Sequence, residues 1–171
     1  LFKKAIEGSS DAIGMADKQG NHFYQNKAFT NLLGYTAEEL RKDGVAKSVY
    51  VNQDVARNVF KTIMDGGSWS GEVEDIAKDG RRLTVMLRAD AIKDETGKVT
   101  GLLAINTDVT ERKKTEEALR ESEERLRFIT ENTHDVVWQL DRELRFTYIN
   151  GADERMRGYA REEVIGRCFK D

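Results

Sequence analysis

The side chains that most often carry enzyme chemistry are sparse in this sequence of 171 residues. It holds two histidines, His22 and His134, and one cysteine, Cys168. The histidines do not occur in an H-E-x-x-H pattern or at any other metal-ligand spacing, and no G-x-x-x-x-G-K-[ST] loop is present to cradle a nucleotide. A single cysteine excludes an internal disulfide and a zinc site built from several cysteines. The sequence therefore predicts a non-catalytic segment without a metal site, and it assigns Cys168 no role.

Two short motifs could suggest catalysis, and both have a simpler structural interpretation. His134-Asp135 could suggest a phosphorelay or hydrolase site, but an internal repeat places it over Ser10-Asp11, in the turn before a strand. Asp65-Gly66-Gly67 follows a predicted helix, where paired glycines act as a stop rather than as a cyclase motif. We therefore expect no catalytic residue in this segment.

Charge and hydropathy exclude further classes of protein. Lys and Arg number 28 against 31 Asp and Glu, a formal net charge of −3, whereas nucleic-acid-binding surfaces usually show a basic stripe. No stretch of about 20 apolar residues is present, so we expect no transmembrane helix. The single cysteine and the lack of a signal-peptide pattern favour a cytoplasmic location. The chain begins with Leu1 rather than with Met, which indicates a piece of a longer protein.

The sequence repeats itself once, in part. Residues 5–42 align without a gap on residues 129–166 with ten identities, where chance would give about two. Among these identities, Asn26 falls on Asn150. The repeat predicts one module of about 110 residues, then a connector, then the first third of a second copy that stops at Asp171.

Hydrophobic spacing and turn residues predict the elements of the first copy. Apolar residues at helical spacing predict an opening helix over 2–7, and strands are expected over 12–16 and 22–25. Asn26, and by the repeat Asn150, can cap a helix with its side chain. The elements expected next are a T-x-x-E capping box at Thr36–Glu39, a helix over 54–64 and strands over 69–77, 82–93 and 98–107. This order predicts an α+β fold in which a five-stranded antiparallel sheet carries helices on one face.

Residues 111–127 read ERKKTEEALRESEERLR and form the connector. Its six acidic and six basic residues place opposite charges four apart, which stabilises an exposed helix. Asp108 can cap the start of this helix, and Leu119 and Leu126 at heptad position a form a weak seam. The helix is then either a solvated spacer or paired with a second copy. The dimer is favoured because Leu119, Leu126 and Ile129 would otherwise lie exposed.

Five motifs in this order resemble those of the PAS sensor domain family. They are D-x-x-G-x-H-x-Y-x-N-x-A-F from Asp17 to Phe29, L-G-Y-T-x-E-E-L from Leu33 to Leu40, W-x-G-E from Trp69 to Glu72, K-D-G from Lys78 to Gly80, and D-V-T-E-R from Asp108 to Arg112. The resemblance covers essentially all of residues 1–110, and its opening motifs return at 128–166. Any one motif alone is weak, whereas the ordered set is specific.

The resemblance implies a PAS sensor domain over 1–109, a signalling linker helix over 110–130 and the N-terminal part of a second PAS domain over 131–171. It further implies a cytoplasmic sensory module of a bacterial signal-transduction protein of the histidine kinase type, with an output domain downstream in the same chain. Two alternatives stay open. One is a ligand-free dimerisation or protein-interaction module, and the other is the sensor of a diguanylate cyclase or phosphodiesterase.

In the family, the motif that matches Asp108-Val109-Thr110 joins the last strand to the signalling helix. Binding in the cavity would then shift the last strand and rotate or shift a paired helix. This implies that Asp108 and Thr110 form the hinge for signal transmission and that Leu119 and Leu126 lie in the paired face. We expect a homodimer through this helix and through PAS surfaces.

The resemblance constrains the ligand less than the fold. Haem sensors of the family commonly use a histidine on the long helix, and residues 53–66 contain none, so haem is not expected there. Photoactive members need a cysteine in a G-x-N-C-R-F motif, so the first copy, which has no cysteine, cannot form a flavin-cysteine adduct. Trp69 resembles a residue of the redox flavin sensors, which leaves FAD or another small organic ligand open.

His22 occupies a strand position that in the family usually holds an apolar residue facing the cavity. An imidazole facing the cavity would need a hydrogen-bond partner, for example from a ligand. Alternatively, His22 lies at the strand edge, solvated or bonded to a nearby side chain. The other residues expected in the core or the pocket are Tyr24, Phe29, Leu32, Val59, Trp69, Leu87 and Ile105. A hollow first module favours a small-molecule sensor, and a solid core favours an interaction module.

Overall fold

The computed structural model describes residues 2–169, and the chain divides into two structural units between Lys114 and Thr115. The elements of the first unit are α1 Phe2–Glu7, β1 Ala12–Asp17, β2 His22–Gln25, α2 Lys27–Leu33, α3 Ala37–Asp43, α4 Val45–Val49, α5 Gln53–Met64, β3 Ser68–Ile76, β4 Arg82–Lys93 and β5 Val99–Asp108. Helix α6 covers Thr110–Asn132. The elements that follow are β6 Trp138–Leu140, β7 Phe146–Ile149, α7 Gly151–Arg157 and α8 Arg161–Val164.

The first unit is built on an antiparallel five-stranded sheet in the order β2-β1-β5-β4-β3. Tight turns join β1 to β2, β3 to β4 and β4 to β5. Gly80, in the turn between β3 and β4, has a φ of 87°, a conformation that favours glycine. The last strand, β5, pairs with both β1 and β4, so that Ile105 lies opposite Ile13 on one side. Helix α6 therefore begins directly after the central strand of the sheet.

The hydrophobic core of the first unit lies between one face of this sheet and helices α2 to α5. Side chains alternate along each strand, so every second residue of β4 points to the helices. The buried residues that meet there include Ala12, Phe29, Leu33, Leu40, Val59, Ile63, Leu83, Val85, Leu87 and Ala89. The predicted α+β class is confirmed: a PAS-like five-stranded antiparallel sheet carries helices on one face, and a long helix and a second, smaller sheet follow.

Local sequence patterns predicted where helices α2 and α3 begin. Asn26 caps α2, because its Oδ1 accepts a hydrogen bond from the Phe29 amide at 3.0 Å. Thr36 and Glu39 make both hydrogen bonds of the expected capping box at the start of α3. Helix α4 was not predicted. It spans only five residues, which is too short for a helical hydrophobic period to be recognised.

The second unit repeats the first two strands of the first unit as the β6–β7 pair. Phe146, Ile149 and Val164 form its small core. Asn150 begins α7, but its side chain makes no cap hydrogen bond. Its Oδ1 accepts instead from the Val137 amide at 3.0 Å, so the prediction that the Asn150 side chain caps this helix is wrong.

Candidate ligand-binding cavity

A cavity of about 570 Å³ lies between the sheet and the helices of the first unit. All five strands of the sheet and helices α2, α4 and α5 contribute to its wall, which is mainly apolar. Its apolar side chains include Phe29, Leu33, Val49, Val59, Phe60 and Leu102. Ligand pockets usually enclose about 300–1,000 Å³, so this volume suits a small organic molecule.

The structure places three of the predicted pocket residues, His22, Phe29 and Val59, in the cavity wall. The prediction for Ile105 is wrong because strand side chains alternate. Ala104 and Asn106 of β5 line the cavity, which puts the intervening Ile105 on the opposite face of the sheet.

Leu87 and Trp69 face the helices but do not line the cavity. Leu87 is completely buried in the core, and Ala89, two residues later on β4, reaches the cavity instead. Trp69 packs against the core at the start of β3, and its ring lies over Gly71, where an added Cβ would come within 2.8 Å of it. Trp69, on which the flavin expectation depends, is thus a core residue of β3 and not part of the cavity wall.

Tyr24 and Leu32 also lie outside the cavity wall. The Tyr24 hydroxyl donates a hydrogen bond to Glu7 Oε1 at 2.8 Å, so its polar tip ties β2 to α1. Leu32 is partly buried against the core. It lies on α2 beside Phe29 and Leu33, which line the cavity. Both residues hold the wall in place and do not form its surface.

His22 faces inward and is 2% exposed. Its Nε2 lies 2.9 Å from Gln25 Oε1, and its ring centroid lies 5.5 Å from that of Phe29. Gln25 Nε2 lies 2.8 Å from the carbonyl oxygen of Tyr35, which can only accept. The amide orientation of Gln25 is thereby determined, so the bond with His22 requires a proton on Nε2.

The free nitrogen of His22 is therefore Nδ1. Burial lowers the pKa of His22. The hydrogen bond with Gln25 opposes this shift, and the nearby Arg41 charge adds a smaller shift downward. The neutral ring then presents Nδ1 as an acceptor, and within residues 2–169 the structure shows no hydrogen bond to it. Both sequence alternatives thus hold in part, since His22 points inward and bonds a nearby side chain.

Asp75 is a cavity residue that the sequence analysis missed. It is 2% exposed, and its Oδ1 has no hydrogen-bond partner among the described residues. Burial raises the pKa of the Asp75 carboxyl to about 7. The backbone of Tyr50 pairs with that of Asp75 in an isolated β-bridge. Burial raises the pKa of the Tyr50 hydroxyl, and the nearby Asp75 carboxylate raises it further. The alternation of Val73 and Asp75 on β3 could have revealed this acid at an inward position.

The start of α6 is hydrogen-bonded to the neighbouring strand. The Val109 amide donates to the Thr84 carbonyl at 3.0 Å, and the Thr84 amide donates to Thr110 Oγ1 at 2.9 Å. Asp108 Oδ1 accepts from the Thr110 amide at 2.9 Å. Strand β5, which lines the cavity, and the first turn of α6 are therefore connected by a short and well-bonded segment.

Further along α6, several apolar side chains point to solvent. Leu119 is 60% exposed, Leu126 is 61% exposed and Ile129 is 55% exposed. The surrounding positions are charged, and Arg120 pairs with Glu117 at 2.5 Å and with Glu124 at 2.7 Å. The helix thus carries an apolar stripe on an otherwise charged surface.

Within residues 2–169, no helix has both the length and the apolar content needed to cross a membrane. Across the same residues, no group of three or more His, Cys, Asp or Glu side chains is placed to hold a metal ion.

Comparisons with known proteins agree with this geometry. Residues 10–111 match the family described as PAS domain, and residues 124–171 match the family described as PAS fold. A probable diguanylate cyclase of Escherichia coli is 35% identical over 89 residues, which are 52% of this chain and 8% of that protein. A nitrogen fixation regulatory protein of Klebsiella pneumoniae is 25% identical over 122 residues, 70% of this chain and 25% of that protein. This chain therefore spans a quarter or less of these relatives.

Solved structures show the same architecture. A PAS domain from Colwellia psychrerythraea is 28% identical with a TM-score of 0.58, covering 64% of this chain and 95% of that domain. A sensory box histidine kinase/response regulator from Burkholderia thailandensis is 25% identical with a TM-score of 0.54, covering 74% of this chain and 97% of that structure. Because the family match spans more than half of the sequence and the sheet has the same form, this chain belongs to the PAS domain family, whose domains are sensory rather than catalytic.

Proposed function

We propose that the first unit is the small-molecule sensor of a cytoplasmic bacterial signalling protein of the histidine kinase type. The observation that carries this proposal is the apolar cavity of about 570 Å³. A module that served only to dimerise would gain stability from a filled core, because empty apolar volume weakens packing. The cavity therefore favours the sensor over the ligand-free interaction module.

The output of the parent protein is proposed from its relatives. The solved structures from Burkholderia thailandensis and Geobacter sulfurreducens are described as sensory box histidine kinase/response regulator proteins. The relative from Escherichia coli is a probable diguanylate cyclase. We take a histidine kinase as the first candidate and a diguanylate cyclase as the second, and in either case the output domain lies downstream of this segment.

Transmission would follow β5 into α6. A ligand that contacts Ala104 and Asn106 displaces the central strand, and the bonds of Thr84 to Val109 and Thr110 pass that displacement to the first turn of the helix. If two copies pair along α6, the displacement becomes a rotation or register shift between helices, which is a bistable element.

Filling the cavity should weaken ligand binding. We expect propylbenzene, titrated as a small apolar probe, to shift the NMR amide signals of β1 and β5 in the natural protein. In Ala104→Phe the added ring occupies the same space, so the affinity should fall by about tenfold or more.

The matched control is Ile105→Phe, which also adds a ring on β5 but on the opposite face of the sheet. Its affinity for propylbenzene should stay within about twofold of the natural value. Equal binding by Ala104→Phe and the natural protein, or no shifts with the natural protein, would contradict the sensor proposal and favour the interaction module.

The apolar stripe on α6 should mediate a homodimer. Replacing both Leu119 and Leu126 by glutamine removes four leucines from the paired helices, and we expect the dimer to weaken by about a hundredfold. Light scattering after size exclusion measures this change. Glu121→Gln with Arg127→Gln, which alters exposed residues off the seam, should leave the dimer intact. A natural protein that is monomeric at high concentration would refute the dimer.

A further inference from the structure

The polar groups of the cavity wall include hydrogen-bond acceptors that lack a donor within residues 2–169. Asp75 Oδ1 is fully buried and has no hydrogen-bond partner among the described residues. The described hydrogen bond of His22 uses Nε2 and leaves Nδ1 free to accept. Asn106 Nδ2 is already used, because it donates to the Ala12 carbonyl at 3.1 Å. Buried acceptors without donors are costly, so a molecule that enters this cavity gains most by bringing donors.

Asp75 stands out because no Lys, Arg or His side chain within residues 2–169 forms an ion pair with it. The charged and titratable residues that share the cavity wall with it are Tyr50, His22, Arg57 and Lys61. Arg57 is directed to Asp54 and its side chain is 73% exposed. Lys61 is exposed on α5, and the structure gives it no ion pair within residues 2–169. A carboxylate ionised at this position therefore requires a positive charge from elsewhere.

We propose that the cavity binds a small apolar amine, whose protonated nitrogen donates a hydrogen bond to the Asp75 carboxylate. This inference rests on the proposed sensor function and adds the chemical class of the ligand. Rotation about the last side-chain torsion of Asp75 exchanges its two oxygens at little cost, so either oxygen can take the new bond. An ammonium in this place replaces the missing partner and neutralises the buried charge at once.

The sheet order also sets the direction in which the ligand lies. Asp75 is on β3 and His22 is on β2, which form the two edges of the sheet. Four strand spacings of about 4.8 Å separate such edges, a span that a short amine does not bridge. The nitrogen would then lie near β3, and the apolar body would lie under Ala89, Leu102 and Ala104 of the central strands.

The test compares three probes of similar shape that differ in charge. They are 2-phenylethylamine as the cation, propylbenzene as the neutral analogue and 3-phenylpropanoate as the anion. At pH 8, above the pKa of about 7 to which burial raises the Asp75 carboxyl, we expect the amine to bind about tenfold or more tightly than propylbenzene and the anion to bind most weakly. Calorimetry or NMR titration of the natural chain measures all three.

Two variants assign the effect to Asp75. Asp75→Asn keeps the size of the side chain. It should lower the affinity for 2-phenylethylamine by about tenfold and leave the affinity for propylbenzene within about twofold of the natural value. Glu74→Gln removes an exposed acid from the opposite face of the same strand and should change neither of these two affinities. Retained propylbenzene binding in Asp75→Asn shows that the variant is folded and that its cavity is open.

The outcomes separate this inference from the proposed function. If propylbenzene binds but the amine binds no better, the sensor proposal stands and the amine inference is overturned. If the amine is preferred equally by the natural protein and by Asp75→Asn, Asp75 is not the anchor and the inference also fails. If no probe binds, both proposals fall together.

Discussion

Replacing Asp75 by asparagine should stabilise the first unit near pH 8 by about 4 kcal/mol and should have little effect near pH 4. The reason is the energetic cost of a buried carboxylate without a cation. Asp75 is 2% exposed, and burial raises its pKa from 3.8 to about 7. Asparagine has nearly the same shape and carries no charge at any pH, so it removes this cost.

The direction of the pH dependence follows from proton binding in the two states. In the unfolded chain Asp75 releases its proton near its ordinary pKa of 3.8, whereas in the folded chain it keeps the proton until about pH 7. Between these values the folded state binds more protons, so the free energy of unfolding falls as pH rises. The contribution is fully present below about pH 4 and is lost as the pH passes about 7.

Urea unfolding at a series of pH values measures this effect, and the difference between variant and natural protein isolates Asp75 from the other acids. Glu74→Gln is the control, because Glu74 lies on the same strand with its side chain 68% exposed. A difference curve for Asp75→Asn that is flat between about pH 4 and pH 8 would show that the carboxyl is not desolvated in solution.

The sequence could predict the architecture because each element had its own local pattern. Thr36 and Glu39 define a capping box within four residues, and Gly80 marks a turn that both of its neighbouring strands require. Which residues line the cavity depends instead on strand pairing between segments that are far apart in the sequence. Whether Ala104 or Ile105 faces inward is decided by the pairing of β5 with β1 and β4, and a shift of one residue exchanges the two faces.

Asp75 was missed for a related reason. Charged residues in a strand are normally exposed, so the run Glu72-Val73-Glu74-Asp75 indicates an acidic surface with one inward valine. The pairing of β3 with β4 across the whole strand places Asp75 inward with Val73. An acid at an inward position breaks the local pattern, and such conflicts are where functional residues are expected.

Loss of the Asn26 side chain should strongly destabilise the first unit, because this side chain joins three elements. Its Oδ1 accepts hydrogen bonds from the amides of Ile13 and Phe29, each at 3.0 Å. Its Nδ2 donates to the carbonyls of Ile6 and Asp11, each at 2.9 Å. The residue is 1% exposed, so little water can replace these bonds.

We expect Asn26→Ala to lower the free energy of unfolding by about 3–4 kcal/mol, because four main-chain groups lose their partner together. Asn52→Ala is the matched control. Asn52 also begins a helix and accepts from the amide of Asp54 at 2.9 Å, but it is exposed and serves α5 alone. A lost cap of that kind costs about 1 kcal/mol.

The comparison of Asn26 with Asn52 distinguishes a side chain that only caps a helix from one that also joins several elements. If Asn26 acted only as the N-cap of α2, both variants would lose about 1 kcal/mol. The repeat argues otherwise, because Asn150 keeps the strand and helix bonds, to Val137, Asp135 and Thr130, and gives up the cap bond. The bonds common to both copies are those that tie the preceding helix and the first strand to the second strand, so their loss should account for most of the effect.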